Sequence, residues 1–334
     1  MNTSLNNFIQ QELCNCCGQQ QWQKIHTTYD FMYSKKTPTY DLYQCQHCGL
    51  IALDSDKQPE TIRAYYPPES YYSYQKQDKF LAIKKRLYIL MFSPLSAPLD
   101  WLRSIFFYPL LQMMRGIKIQ DNAKVLDIGC GSGKFLAIID ALNMQPFGIE
   151  ISETAIEAAK KVTGNVYLGE CERMTGYKFP NNPKMKFDVI VSNHVIEHAT
   201  NPDKFLQKVK EMLAENGTAI IATPNYYSIW AKLFGRYWTQ LDTPRHLFVL
   251  APHNMKIICN KNQMKIIKIR HLSSEVGIII SLIYLFEHKL LCKPNFKLRK
   301  ILIIFARFLL FPVYTLVNLL RIGDTVEYHL VHKK

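Results

Sequence analysis

At 334 residues the chain exceeds the usual size of one domain, and its 48% hydrophobic content can bury a sizeable core, so one catalytic domain with an appendage is expected. Lys and Arg outnumber Asp and Glu by 41 to 27, a formal charge of +14 that points to anionic rather than cationic partners. Nine cysteines, an odd number, with Cys14, Cys16 and Cys17 crowded together, argue against a disulfide framework and for metal ligands and free thiols in a reducing compartment.

Residues 1–12 are polar and lack the basic-then-apolar pattern of a signal peptide, which makes the cytoplasm the expected location. Cys14 and Cys17 then form a C-x-x-C-G knuckle with Gly18, and Cys45 and Cys48 form a second with Gly49. Four thiolates in two such pairs are the closed tetrahedral set that a structural zinc ion prefers, with Cys16 and His47 as substitute ligands. A redox dithiol would follow an apolar strand or open a helix, and neither pair does. The expected role of this zinc ribbon is therefore folding or docking, not catalysis. Residues 65–74, YYPPESYYSY, read either as a linker packed on the catalytic domain or as an aromatic wall facing the substrate. Residues 80–116 read as amphipathic helix broken at Pro94 and Pro98, with Lys84, Lys85, Arg86, Arg103 and Arg115 among large apolar side chains.

A short apolar strand at 125–128 leads into Gly129-Cys130-Gly131-Ser132-Gly133 and a helix over about 134–142. A strand ending in Gly148-Ile149-Glu150, a helix capped by Ser152 and a strand near 166–168 follow. This alternation predicts an α/β, Rossmann-like, doubly wound sheet of seven strands. The glycines are spaced G-x-G-x-G and preceded by Asp127, whereas the dinucleotide fingerprint is G-x-G-x-x-G. A carboxylate there would repel a pyrophosphate but suits the ammonium and sulfonium of S-adenosylmethionine (SAM). Glu150 can accept from ribose hydroxyls; Glu170 and Cys171 lie either beside the adenine or on an ordinary surface loop.

VLDIGCGSGKFL, the acidic end of GIE, FDVIVSNHVIEH and GTAIIATPN, in that order, resemble the successive motifs of class I SAM-dependent methyltransferases. Within that class the cysteine-rich start, the tyrosine-rich linker and LDTPRHLF at 241–248 resemble bacterial small-molecule enzymes of surface-polysaccharide and natural-product pathways. The resemblance implies a SAM site at Asp127, Gly129, Cys130, Gly131, Gly133, Glu150, Ile151, Glu170, Cys171 and Asn193.

For the chemistry, Asn193 and His194 stand at the carboxyl end of a buried strand, 188–191, and His194, Glu197 and His198 have the spacing of one helical face. H-x-x-E-H is also a zinc-peptidase signature, but that motif needs one long helix and this one straddles a strand end. Ubiquinone-pathway O-methyltransferases and small-RNA methyltransferases hold a metal through E-x-x-E-H. Here His194 replaces the first glutamate, so Glu197 and His198 either hold a catalytic metal or merely shape the turn. An alcohol acceptor needs a general base, for which His194, His198 and His246 are the candidates. No N-P-P-Y-like tetrapeptide, which in the superfamily it resembles marks methylation of amide or base nitrogens, follows the fourth strand, and this tilts the acceptor toward oxygen or carbon.

Residues 278–320 repeat the apolar and basic character of 80–116, and the stretch 301–320 is long enough to span a bilayer but is interrupted by Arg307, Pro312 and Asn318. Helices over the active site and in-plane attachment to an anionic membrane, at its inner face, are the two readings that carry weight. The expected organisation is a zinc ribbon and linker at 1–75, an amphipathic segment at 76–120, and a SAM-binding domain at 121–334 with a helical insertion at about 275–322. The expected function is O-methylation of a sugar-like or other small hydroxylated acceptor, lipid-linked if the membrane reading holds. An RNA methyltransferase is the alternative, against which the basic residues lie among aliphatics and form no polar stripe. A non-catalytic SAM-binding docking protein is the second alternative.

Overall fold

The computed structural model describes residues 13–33, 35–54, 117–118, 120–169, 185–273, 275–290, 309–310 and 312–333. The tyrosine-rich 65–74, the amphipathic 80–116, Glu170, Cys171 and most of 291–311 lie outside the described residues.

Among the described residues there are two sheets. The first is antiparallel, in the order β1-β2-β3-β9, from β1 (Trp22–Asp30), β2 (Lys35–Cys45), β3 (Ile51–Leu53) and β9 (Phe248–Val249). The second has seven strands, β10-β11-β8-β7-β4-β5-β6. Its members are β4 (Lys124–Ile128), β5 (Gln145–Glu150), β6 (Val166–Leu168), β7 (Phe187–Asn193), β8 (Leu213–Pro224), β10 (Met264–Leu272) and β11 (Thr325–His332). β5 and β7 flank β4 in parallel and β6 continues in parallel beyond β5. The expected seven-stranded Rossmann-like sheet is therefore present.

The chain divides into two compact units. One comprises Tyr66–Asn193, Gln207–Ile220 and Leu330–Lys334. In it β4 is almost wholly buried, as expected for a strand covered on both faces. Helix α1 (Lys134–Ala141) buries Leu136, Ala137, Ile138 and Ile139. Ile138 and Ile139 join Val125, Val191 and Ile220 in one core, and Leu136 joins Cys130, Ile156 and Val166 in another. Helix α2 (Glu153–Ala159) starts as the sequence predicts: the Ser152 hydroxyl accepts from the Ala155 N–H at 3.3 Å, satisfying one of the first-turn donors.

The other unit comprises Met1–Tyr65, His194–Leu206 and Ile221–His329, so helix α3 (Pro202–Met212) begins in it and ends in the first. The antiparallel sheet lies here, with Trp22 opposite Cys45 at one end of the β1–β2 pair and Asp30 opposite Lys35 at the other. Its apolar face supplies Tyr40, Leu42, Ile51 and Leu53 to a core completed by Trp230, Phe234, Trp238, Leu241, Ile278 and Val317. Helices α4 (Ile229–Phe234), α5 (Pro252–Lys261) and α6 (Glu275–Leu290) accompany it. The sequence reading supplied the two cysteine knuckles but not the nine- and eleven-residue strands between them. Among the described residues no helix is long and apolar enough to cross a membrane.

Candidate functional sites

The corner between β4 and α1 has a backbone that glycine permits. Gly129, Gly131 and Gly133 have φ of 77°, 53° and 77°, in the left-handed region that a Cβ disfavours. At Gly133 a Cβ would also stand 3.0 Å from Cα of Ala159. The chain can therefore turn closely here and open α1 with no side chain capping it. Asp127, the last but one residue of β4, is buried and lies opposite Gly148 on β5 and Val191 on β7. Glu150 ends β5 and faces the turn: its Oε2 accepts from the Gly131 N–H at 2.8 Å, and its Oε1 from the N–H groups of Ile151 at 2.8 Å and Ser152 at 3.0 Å. Burial pushes the Glu150 carboxyl up and these three amides pull it part of the way back. The sequence reading missed this: the carboxylate braces the glycine turn before it meets any ligand. Burial first, then the charges of Asp127 and Glu150, push the Cys130 thiol up, so it stays neutral. Asn193 is the exposed end of β7.

All four predicted cysteines converge. Cys14 and Cys48 lie 3.6 Å apart, as do Cys17 and Cys45, and all four sulfurs lie within 4.8 Å of one another. Zn–S bonds of about 2.3 Å at a tetrahedral centre separate sulfurs by ~3.8 Å, which the cluster matches. Each knuckle closes through a backbone bond, Gly18 N–H to Cys14 carbonyl and Gly49 N–H to Cys45 carbonyl, both 2.8 Å. Gly18 and Gly49 take φ of 79° and 70° to make them. The Cys16 sulfur lies 3.7 Å from the Asn254 carbonyl and is not one of the four that converge. The hydrogen bond to Cys48 and then burial push the Cys14 thiol up, a direction that a coordinated cation would reverse by deprotonating it.

The histidine candidates also gather. His194 has φ of 54° and precedes a single 3-10 turn, Ile196–His198, so the expected helical face is replaced by a strained corner. The Glu197 carboxylate is fully buried; Oε1 accepts from His194 Nδ1 at 2.9 Å and Oε2 from the Thr223 hydroxyl at 3.2 Å. Burial opposes its ionisation, but the hydrogen bond and charge of His194, with the neighbouring imidazoles, outweigh it and hold the carboxyl at about 2. His198 and His246 stack edge to face with ring centroids 4.6 Å apart. His198 Nδ1 lies 2.9 Å from the Arg245 carbonyl and His246 Nδ1 lies 2.8 Å from the Gln240 carbonyl. A carbonyl can only accept, so each neutral ring carries its proton on Nδ1 and its lone pair on Nε2. Burial, and then the charge of His198, push His246 down to about 4, so it is neutral at neutral pH. Glu197, His198 and His246 offer ligand atoms within 4.8 Å of one another, and the Nδ1-to-carbonyl bonds are the outer contacts that orient metal-binding imidazoles.

Sequence reasoning missed the supports of this cluster. Asp30, Asp242 and Arg245 form a buried ion-pair set. Arg245 adjoining His246 in LDTPRHLF was the available signal, but its partner Asp30 lies 215 residues away.

A family model described as a methyltransferase domain matches residues 107–269. Over these residues the chain is similar to a methyltransferase domain. Its relatives include the ubiquinone biosynthesis O-methyltransferases of Bartonella tribocorum, 29% identical over 47% of this chain and 64% of that protein, and of Bradyrhizobium diazoefficiens, 30% identical over 43% and 62%. The chain thus spans a little under two thirds of these curated relatives. Among solved structures, the O-methyltransferase of a Brevibacillus brevis trans-AT polyketide synthase, in complex with S-adenosyl-L-homocysteine, is 15% identical with a TM-score of 0.44, over 74% of this chain and 79% of that one.

Proposed function

We propose that the protein is a SAM-dependent O-methyltransferase acting on a small hydroxylated acceptor, sugar-like or lipid-linked. The observation that carries the reading is the cluster of Glu197, His198 and His246, with both imidazole protons committed to backbone carbonyls beside an ionised, fully buried carboxylate. Two Nε2 lone pairs directed by their own hydrogen bonds are what removal of a hydroxyl proton requires. Asp127 and Glu150 fit the two ends of the cofactor: the first faces a cationic amino acid portion, and the second offers its remaining acceptor capacity to ribose hydroxyls. The methyl donor is already activated, so the chain's work is alignment and proton acceptance.

The donor set of one carboxylate and two imidazoles also suits a divalent transition ion. Glu197, His198 and His246 would hold it, and its charge would make an acceptor hydroxyl easier to ionise. The Cys14, Cys17, Cys45 and Cys48 cluster is read as a structural zinc site on its sulfur spacing. Peripheral contact with an anionic membrane is supported by the exposed row Leu309, Val313, Leu316 and Leu320, which runs at helical spacing beside exposed Arg321.

The test is incubation with labelled SAM and fractionated small molecules and glycolipids from producing cells. Label transferred to a hydroxyl, and lost in His246→Ala, is expected. Transfer only to RNA, with steep salt dependence, would replace this reading with its alternative. Cofactor binding with no transfer to any fraction would favour a docking protein.

A further inference from the structure

We propose that Asp30 is a positioning residue for the histidine–glutamate cluster, acting through Arg245 to tie the cysteine-bearing sheet to both imidazoles. The Arg245 side chain is 1% exposed and is gripped on two edges. Nη1 and Nη2 donate to Asp30 Oδ2 and Oδ1, both at 3.0 Å, and Nε and Nη2 donate to Asp242 Oδ2 and Oδ1 at 3.0 and 2.6 Å. Two bidentate carboxylates leave a planar guanidinium almost no rotational freedom.

The segment 242–247 contacts Glu197 and His198 and carries His246. The Arg245 carbonyl accepts from His198 at 2.9 Å, His246 is the next residue, and the Leu247 N–H donates to the Glu197 carbonyl at 2.8 Å. The Asp242 carbonyl takes the N–H groups of Arg245 at 2.8 Å and His246 at 3.2 Å. Asp242 is local, three residues from Arg245, and itself strained at φ of 33°. Asp30 is the contact from outside: it ends β1, whose partner β2 carries Cys45 at the far end of the pairing. A second tie runs parallel, from the Leu53 N–H on β3 to the Leu247 carbonyl at 2.9 Å. The sheet that carries Cys45 therefore grips the loop that aims the imidazoles.

A role in folding alone would make Asp30→Asn less stable without touching the imidazoles of the molecules that fold. Positioning makes a separate demand, so the inference is tested on folded protein by long-range proton–nitrogen spectra of histidine-labelled full-length chain. With Asp30→Asn, His198 and His246 are expected to lose their single Nδ1-protonated form and show mixed tautomers. Asp30→Glu, which keeps the charge, is expected to restore most of it. The inference rests on the methyltransferase reading only for its kinetic consequence: kcat falling about tenfold or more while SAM affinity by calorimetry is unchanged. Unchanged imidazole signals and kcat in folded Asp30→Asn would overturn the proposal. Altered signals in Asp30→Asn, where the wild-type protein transfers no methyl group, would instead leave positioning standing and remove the proposed reaction. If Asp30→Asn does not fold, Arg245→Lys, which keeps a charge but cannot grip both carboxylates, is read by the same spectra with the same two outcomes.

Discussion

The side-chain amide of Asn254 donates to the Cys48 carbonyl at 2.7 Å while its own oxygen accepts from the Ala251 N–H at 2.8 Å. Asn254 is fully buried on α5, so one residue caps its own helix and holds the second cysteine knuckle in place. Asn254→Ala strands a buried carbonyl and a buried N–H together. We expect a loss of about 2–6 kcal/mol, from about 1–3 kcal/mol for each group. Urea unfolding measures it, and a change below about half a kcal/mol would show that the knuckle does not depend on this amide.

That contact shows what the chain discloses and what it withholds. Cysteines at C-x-x-C-G spacing announce a cluster because four sulfurs have few other uses together, and the glycine corner announces a cofactor because its φ values exclude other residues. Strands β4, β5, β6 and β7 were legible from apolar runs bounded by turn residues. Asn254, Asp30 and Arg245 were not. Their roles exist only once residues more than 200 positions apart in sequence meet, and a lone asparagine on a helix reads as surface. The helical face expected for His194, Glu197 and His198 failed for a related reason. The left-handed turn at His194, whose N–H bonds to the Ala222 carbonyl at 2.9 Å, overrode local spacing.

At the cofactor corner, Glu150→Gln keeps the shape of the side chain but sets an amide N–H against the backbone donors of Gly131, Ile151 or Ser152. Hydrogen bonds to a charged acceptor contribute about 1.5–3 kcal/mol, so SAM affinity should fall by roughly ten- to a hundredfold. Asp127→Asn should weaken SAM by a similar factor and S-adenosylhomocysteine, which lacks the sulfonium charge, by less. Calorimetry with both ligands decides this; equal losses would mean that Asp127 contacts only the portion they share.

Metal removal distinguishes the two clusters. The four sulfurs converge in a set with no place for a substrate, so a strong chelator with thiol-directed competition should release one zinc ion and lower the unfolding midpoint. Mild EDTA treatment should leave that zinc in place. If Glu197, His198 and His246 hold a catalytic ion, the same mild treatment abolishes methyl transfer, and adding back a divalent ion restores it. Full activity after mild treatment, with less than about a tenth of an ion per chain beyond the zinc, would assign proton removal to the imidazoles alone.

On the surface, Leu309, Val313, Leu316 and Leu320 are exposed, Leu309 by 78%, while Tyr314 and Val317 of the same segment are buried. A helix that buries one apolar side and shows another keeps a second partner available, and Arg321 puts a cation at its end. Each leucine entering an acyl layer contributes roughly 1.5–3 kcal/mol, against ~1 kcal/mol for a cation near an anionic surface. Binding to vesicles containing anionic lipid should therefore drop at least tenfold in Leu316→Glu and Leu320→Glu, measured by flotation. In Arg321→Gln it should fall only a few-fold and become less sensitive to salt. Flotation unaffected by either glutamate would mean that this face meets protein rather than lipid, and the lipid-linked acceptor would lose its support.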